Sequence, residues 1–192
     1  MAVNPSADRR NDTRKLAVAR VAVEAGATLV NDVSGFTYDI DLAGFCAEQR
    51  LPVCVMHALG DPKTMQQDPR YDDVVLDICD YLEDRVAALG AAGIPAERVV
   101  VDPGIGFGKT VDHNLSLLKN IAVFQGLGCA VLLGASRKRF IGTVGGAPVA
   151  ADRAPGSIAV GLAALGQGVQ ILRVHDVAET VQAVRLWQAV RE

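Results

Sequence analysis

Five short apolar runs of this sequence each end in residues able to do chemistry: Asn31-Asp32, Met56-His57, Asp102-Pro103-Gly104, Ser136-Arg137-Lys138 and Arg173-Val174-His175-Asp176. Buried charge is too costly to recur this regularly without partners, so the five endings point to one shared site. Arg173 and His175 stand two apart on a strand and project to the same side, and a helix begins just beyond them near Ala178. A guanidinium, an imidazole and the positive end of a helix dipole favour a phosphate or pyrophosphate. The competing reading is an internal ion pair of Arg173 with Asp176 or another carboxylate. Asn31 and Asp102 together can read a flat heterocycle through its ring N–H, amino and carbonyl groups, although each alone also suits a turn. Lys138 can hydrogen-bond a ring carbonyl while its methylene stem lies along an apolar ligand.

The glycine-rich string from Asp102 to Thr110, DPGIGFGKT, invites two familiar readings, and both fail on spacing. A phosphate-cradling loop needs four residues between its first glycine and the Gly-Lys pair, but three separate Gly104 from Gly108. A dinucleotide fingerprint needs glycine where Lys109 stands. The glycines instead let backbone approach a flat ligand or fold tightly beneath it. Phe107 then offers a stacking face, or is tucked into the core. His57 and His113 lack metal-ligand spacing, and Cys46, Cys54, Cys79 and Cys129 lack CxxC pairing, so the sequence suggests neither a zinc site nor disulfides.

The elements that carry these residues follow from periodicity. The five runs, at 27–33, 52–57, 98–103, 130–136 and 169–177, are nearly continuous in apolar residues, as in parallel strands covered on both faces. Between them the spacing predicts helices at about 72–92, with Gly93 as stop, at 112–124 with Asp112 as cap, and at 178–190. Periodicity fits either an open doubly wound sheet or a closed barrel. Polar residues gathered at the carboxyl ends of strands are what a barrel site requires.

With 192 residues, 50% of them hydrophobic and 21% charged, the chain can bury the core of one domain. A formal net charge of −3 offers no basic field for nucleic acid or an anionic membrane. No apolar run is long enough to span a bilayer, so a soluble cytoplasmic protein is expected.

The strings NDVSG, VCVMHALGDPKTMQ, DPGIGFGKT, HNLSLL, GASRKRFIG and RVHDV stand in the order and spacing of dihydropteroate synthase, which the sequence resembles from residue 12 onward. The resemblance implies a TIM-type (β/α)8 barrel that condenses 6-hydroxymethyl-7,8-dihydropterin pyrophosphate with p-aminobenzoate in folate biosynthesis. It further implies a homodimer, magnesium as cofactor and membership of the class of enzymes that sulfonamides target. Asp12, Asn31, Asp102 and Lys138 resemble the family's pterin partners, with Asp12 nineteen positions before Asn31. Arg173 and His175 resemble its pyrophosphate pair, and Phe107 with Lys138 the p-aminobenzoate side. Lys138, Arg173 and His175 are the expected catalytic residues. A corrinoid-dependent methyltransferase of related fold is not expected to carry both SRK and RVHDV.

The sequence departs from the family at its beginning. The family's first two strand-loops, including the asparagine that reaches magnesium, have no counterpart, so no protein ligand for magnesium is expected in this chain. The stretch SADRRN at 6–11 is too polar for a buried parallel strand, and residues 1–11 read as a non-matching leader joined to an incomplete barrel domain over 12–192. The expected fold is thus the last five strand-helix units plus the end of the third. Such barrels use about 250 residues, so the expectation is a chain that is unstable or associates abnormally, or a pterin-binding fragment without turnover. Arg139 stands where many members have serine, a substitution others share.

Overall fold

The structure is a computed structural model and describes residues 10–60, 65 and 67–191. Residues 1–9 of the expected leader, and 61–64 and 66 of the string after β3, lie outside the described residues. The strands are β1 (Arg10–Asp12), β2 (Leu29–Asp32), β3 (Val53–Met56), β4 (Val99–Asp102), β5 (Ala130–Leu133) and β6 (Ile171–Leu172). All pair in parallel, each with the next along the chain. A doubly wound sheet reverses its strand order partway across; this one does not. Arg10 of β1 and Arg173, just past β6, line the same cleft, so the sheet curls into part of a barrel wall.

The two faces of the sheet have different partners. Val30, Val53, Val55, Val99, Val101, Val131 and Leu133 pack into the main core with Ile78, Leu82, Ile94, Leu117 and Phe124. These last come from α3 (Val74–Ala91), α4 (Val111–Lys119) and the turns beside them. The alternate residues Cys54, Val100 and Leu132 form a separate small cluster with Leu29, Ala130 and Ile171 on the concave face. Each buried valine or leucine contributes about 1.5–3 kcal/mol, so the helix-facing side supplies most of the stabilisation. The concave side is left free for polar groups.

Contrary to the expectation from polarity, the chain just before Asp12 is a parallel strand. Arg10, Asn11 and Asp12 pair with Leu29, Val30 and Asn31. Among the described residues β1 has one neighbour, and backbone pairing at an edge does not require apolar side chains. A penalty remains, because Asn11 Oδ1 is buried without a hydrogen-bond partner, a cost of about 1–3 kcal/mol. The expected helix starts also shift. Asp73 caps α3, accepting from Val75 N and Leu76 N. Thr110, not Asp112, caps α4 in a reciprocal box with His113, and that helix ends at Lys119 before a 3-10 turn over Ile121–Leu127. The remaining helices are α1 (Leu16–Glu24), α2 (Asp41–Glu48), α5 (Arg139–Gly145), α6 (Ala154–Gly166) and α7 (Val177–Ala189). No helix among the described residues is long and apolar enough to cross a membrane.

Candidate active site

Register puts the predicted residues on the concave face. Asp12 pairs with Asn31, Asn31 with Cys54 and Cys54 with Val100, so all four share a face, and Asp102 joins them two residues beyond Val100. Asp32, of opposite parity, faces the helices and holds its own turn, accepting from Ser34 N, Ser34 Oγ and Phe36 N. Asn31 donates to Asp12 Oδ1 at 2.7 Å. Asp102 is 3% exposed. Its Oδ1 accepts from Gly104 N at 2.8 Å, and Arg173 Nη2 stands 4.0 Å from its Oδ2. Burial raises the Asp102 carboxyl, while the Gly104 amide and the Arg173, Lys109 and Lys138 cations pull it back. A carboxylate in that setting has strong reason to accept N–H groups from a ligand.

The glycine-rich loop serves close approach. At Gly104, φ is +69° and a Cβ would lie 1.8 Å from the His57 carbonyl oxygen. At Gly106 a Cβ would meet Lys138 Cδ at 3.0 Å, so the lysine stem lies along this backbone. Lys138 Nζ then sits 3.8 Å from the centre of the Phe107 ring. Phe107 is therefore neither tucked into the core nor an open platform, since one face of its ring carries the ammonium. Burial and the nearby Arg173 lower the Lys138 ammonium.

The anion end is a cleft of about 390 Å³ lined by Arg10, Gly134, Ser136, Lys138, Arg173, Val174 and His175. A Cβ at Gly134 would lie 2.7 Å from Arg173 Nη2, so the guanidinium rests flat against that backbone. Ser136 Oγ accepts from His175 N at 3.2 Å and lies 3.0 Å from His175 Nδ1. That contact turns Nε2 toward other partners. The predicted alternative, an internal ion pair of Arg173, forms with Asp102 at 4.0 Å and not with Asp176. Asp176 takes Arg137 through both Nε and Nη2, which raises the guanidinium and lowers the carboxyl. Arg137 adopts φ +57°, an arrangement costing about 1–2 kcal/mol. It is held by Ser157 Oγ accepting its N–H and by Arg153 donating to its carbonyl. The turn sends Arg137 outward and Lys138 inward.

Magnesium prefers carboxylate and water oxygens. Among the described residues no group of three or more His, Cys, Asp or Glu side chains could hold a metal ion, and the anion cleft is lined by cations. These residues do not fit a magnesium site.

His57 and Lys109 have roles that spacing did not expose. Lys109, 4% exposed, has no carboxylate within ion-pair distance among the described residues. Its Nζ lies 3.0 Å from His57 Nδ1 and donates to the Phe107 carbonyl at 3.0 Å. Burial pushes Lys109 down to about 7 and His57 down to about 3. Both groups bind their proton more readily in the unfolded chain, His57 near 6.5 and Lys109 near 10.5. The folded state therefore gains stability as pH rises from about 3 to 6.5 through His57, and from about 7 to 10.5 through Lys109. The thermal midpoint of the native chain is expected to fall between pH 6.5 and about 4.5 more steeply than that of His57→Gln. Parallel curves would show that His57 is not the coupled group.

A family model described as pterin binding enzyme matches residues 11–175. The dihydropteroate synthase of Escherichia coli (strain K12) is 42% identical over 181 residues, covering 93% of this chain and 62% of that protein. The chain thus spans less than two thirds of that relative's length. Among solved structures, dihydropteroate synthase from Thermus thermophilus in complex with 6HMPPP superposes with a TM-score of 0.90 at 42% identity, covering 95% of this chain and 72% of that one. The same enzyme in complex with 4-aminobenzoate gives 0.89 at 42% identity, covering 94% and 69%. A continuous match from β1 to His175, over the strand ends that build the site, places this chain in the pterin binding enzyme family.

Proposed function

We propose that this chain acts as a dihydropteroate synthase, joining 6-hydroxymethyl-7,8-dihydropterin pyrophosphate to p-aminobenzoate with release of pyrophosphate. The observation that carries the reading is a single row on the concave face, in which Asp12, Asn31 and Asp102 lead into the cationic cleft of Lys138, Arg173 and His175. A polar heterocycle with a phosphorylated arm has that pattern of charge. The relatives that superpose on the chain with 6HMPPP and with 4-aminobenzoate bound support it. The family resemblance extends the reading to a homodimeric, cytoplasmic enzyme.

The chemistry is displacement at the pterin methylene carbon. The C–O bond to pyrophosphate breaks with its electron pair leaving on oxygen, the aniline nitrogen forms the new C–N bond, and that nitrogen sheds its proton. Asp102 and Asn31 orient the ring. Arg173 and His175 meet the charge that grows on the departing oxygens, where fixed donors act most strongly. Lys138 spans the two ends, its ammonium over Phe107 on the p-aminobenzoate side.

Mixing the full chain with both substrates is expected to release pyrophosphate above background. Substrate binding without release would favour a pterin-binding chain that does not turn over. Lys138→Ala is expected to lower turnover and weaken p-aminobenzoate binding by roughly tenfold or more, as loss of a charge-assisted contact does. Unchanged kinetics would remove Lys138 from the mechanism.

A further inference from the structure

We propose that Arg10 is a further anion-binding and specificity-determining residue of this site, restraining Asp12 until a phosphorylated ligand arrives and then gripping its pyrophosphate arm from the side opposite Arg173. The inference rests on the pterin reading above for the identity of the ligand. Three observations carry it. Arg10 pairs with Leu29, a member of the concave-face cluster, so its side chain projects into the barrel interior and not toward the helices. It lines the same cleft as Lys138, Arg173 and His175, whose lining contains no carboxylate. Its guanidinium donates to Asp12 Oδ2 at 2.8 Å, leaving Asp12 between Arg10 and the Asn31 amide.

Arg10 and Arg173 also act on one buried group. The Cys54 thiol, on the strand between them, is raised by burial and by Asp102, and both guanidiniums oppose that shift. A pyrophosphate has more acceptor oxygens than Arg173 and His175 can satisfy. A guanidinium on the first strand of the sheet meets them from a direction the last strand does not reach. The side chain is 28% exposed, so it can turn from Asp12 to an incoming anion without crossing packed core.

Arg10 therefore has opposite effects at the two ends of the ligand. It attracts the phosphorylated arm, and until that arm arrives it occupies a carboxylate oxygen that the heterocycle would otherwise use. The native chain should accordingly favour the pyrophosphorylated pterin over the bare alcohol more strongly than a chain without Arg10.

Calorimetric titration of the full chain with inorganic pyrophosphate and, separately, with uncharged 6-hydroxymethylpterin tests this. In Arg10→Ala, pyrophosphate affinity should fall about tenfold and lose part of its salt dependence, while 6-hydroxymethylpterin binds equally or more tightly. Arg10→Lys should recover most of the pyrophosphate affinity. Unchanged pyrophosphate affinity in Arg10→Ala overturns the proposal, and so does a parallel loss of both ligands, which would mark Arg10 as only a support for β1. If the native chain binds no 6-hydroxymethylpterin but pyrophosphate binding still falls in Arg10→Ala, the pterin reading fails and the anion role stands.

Discussion

Asp102→Asn is expected to weaken binding of 6-hydroxymethylpterin by roughly a hundredfold, the scale of a lost hydrogen-bonded charge in a buried site. The native carboxylate is an acceptor at both oxygens, one committed to Gly104 N and the other facing Arg173. An amide can keep only one of those faces as an acceptor. If its oxygen stays on Gly104 N, its NH₂ points at the guanidinium and at the ring edge, donor against donor. If it flips, the Gly104 amide loses its partner and the loop that carries Phe107 loosens. Either outcome also removes the negative charge that Lys138 and Arg173 share. Fluorescence or calorimetric titration measures the effect; unchanged affinity would mean that the pterin edge is read elsewhere.

The second large effect falls on stability. Gly104→Ala is expected to cost about 3–5 kcal/mol, enough to unfold a marginal domain. Its Cβ would overlap the His57 carbonyl oxygen at 1.8 Å, and His57 cannot step aside, because its own N–H is bonded to the Asp102 carbonyl at 3.1 Å. Relief would require β3 and β4 to separate at the end that forms the site. Gly128→Ala is the control. That residue has a similar φ, +71°, with nothing within 4 Å of a Cβ, so only the backbone penalty of about 1 kcal/mol should appear. Chemical denaturation of both variants separates the two causes, and equal losses would show that the contact with His57 is relieved at little cost.

Much of the site was legible because strand periodicity and strand ends are local properties. Asn31, Asp102, Lys138, Arg173 and His175 each follow an apolar run, and the structure gathers all five at one end of one sheet. Asp12, identified by resemblance alone, joins Asn31 through a hydrogen bond. What escaped depended on contacts between distant segments. Lys109 and His57 are 52 positions apart, and nothing in the spacing of a Gly-Lys pair indicates that its amine is buried against an imidazole. Ser136 was visible only as a neighbour of Lys138; its bond to the His175 ring crosses 39 positions. The choice of Asp176 for Arg137 over Arg173 depends on the positive φ at Arg137, a conformation not announced by its residue type. β1 was missed for a different reason. Hydropathy measures the demand for burial, and an edge strand makes little such demand.

The alternation along β4 also bears on how this sequence can change. Val99 and Val101 belong to the packed interior, whereas Val100 and Asp102 face the concave side. A single inserted or deleted residue within such a strand exchanges the two sets, placing a carboxylate among the helices and a hydrocarbon where the ligand is read. Point substitutions escape this coupling, because the two kinds of position are interleaved but distinct. Durability can be tuned through the odd-numbered positions of β4 and ligand preference through the even-numbered ones, while changes in chain length are tolerated only in the loops.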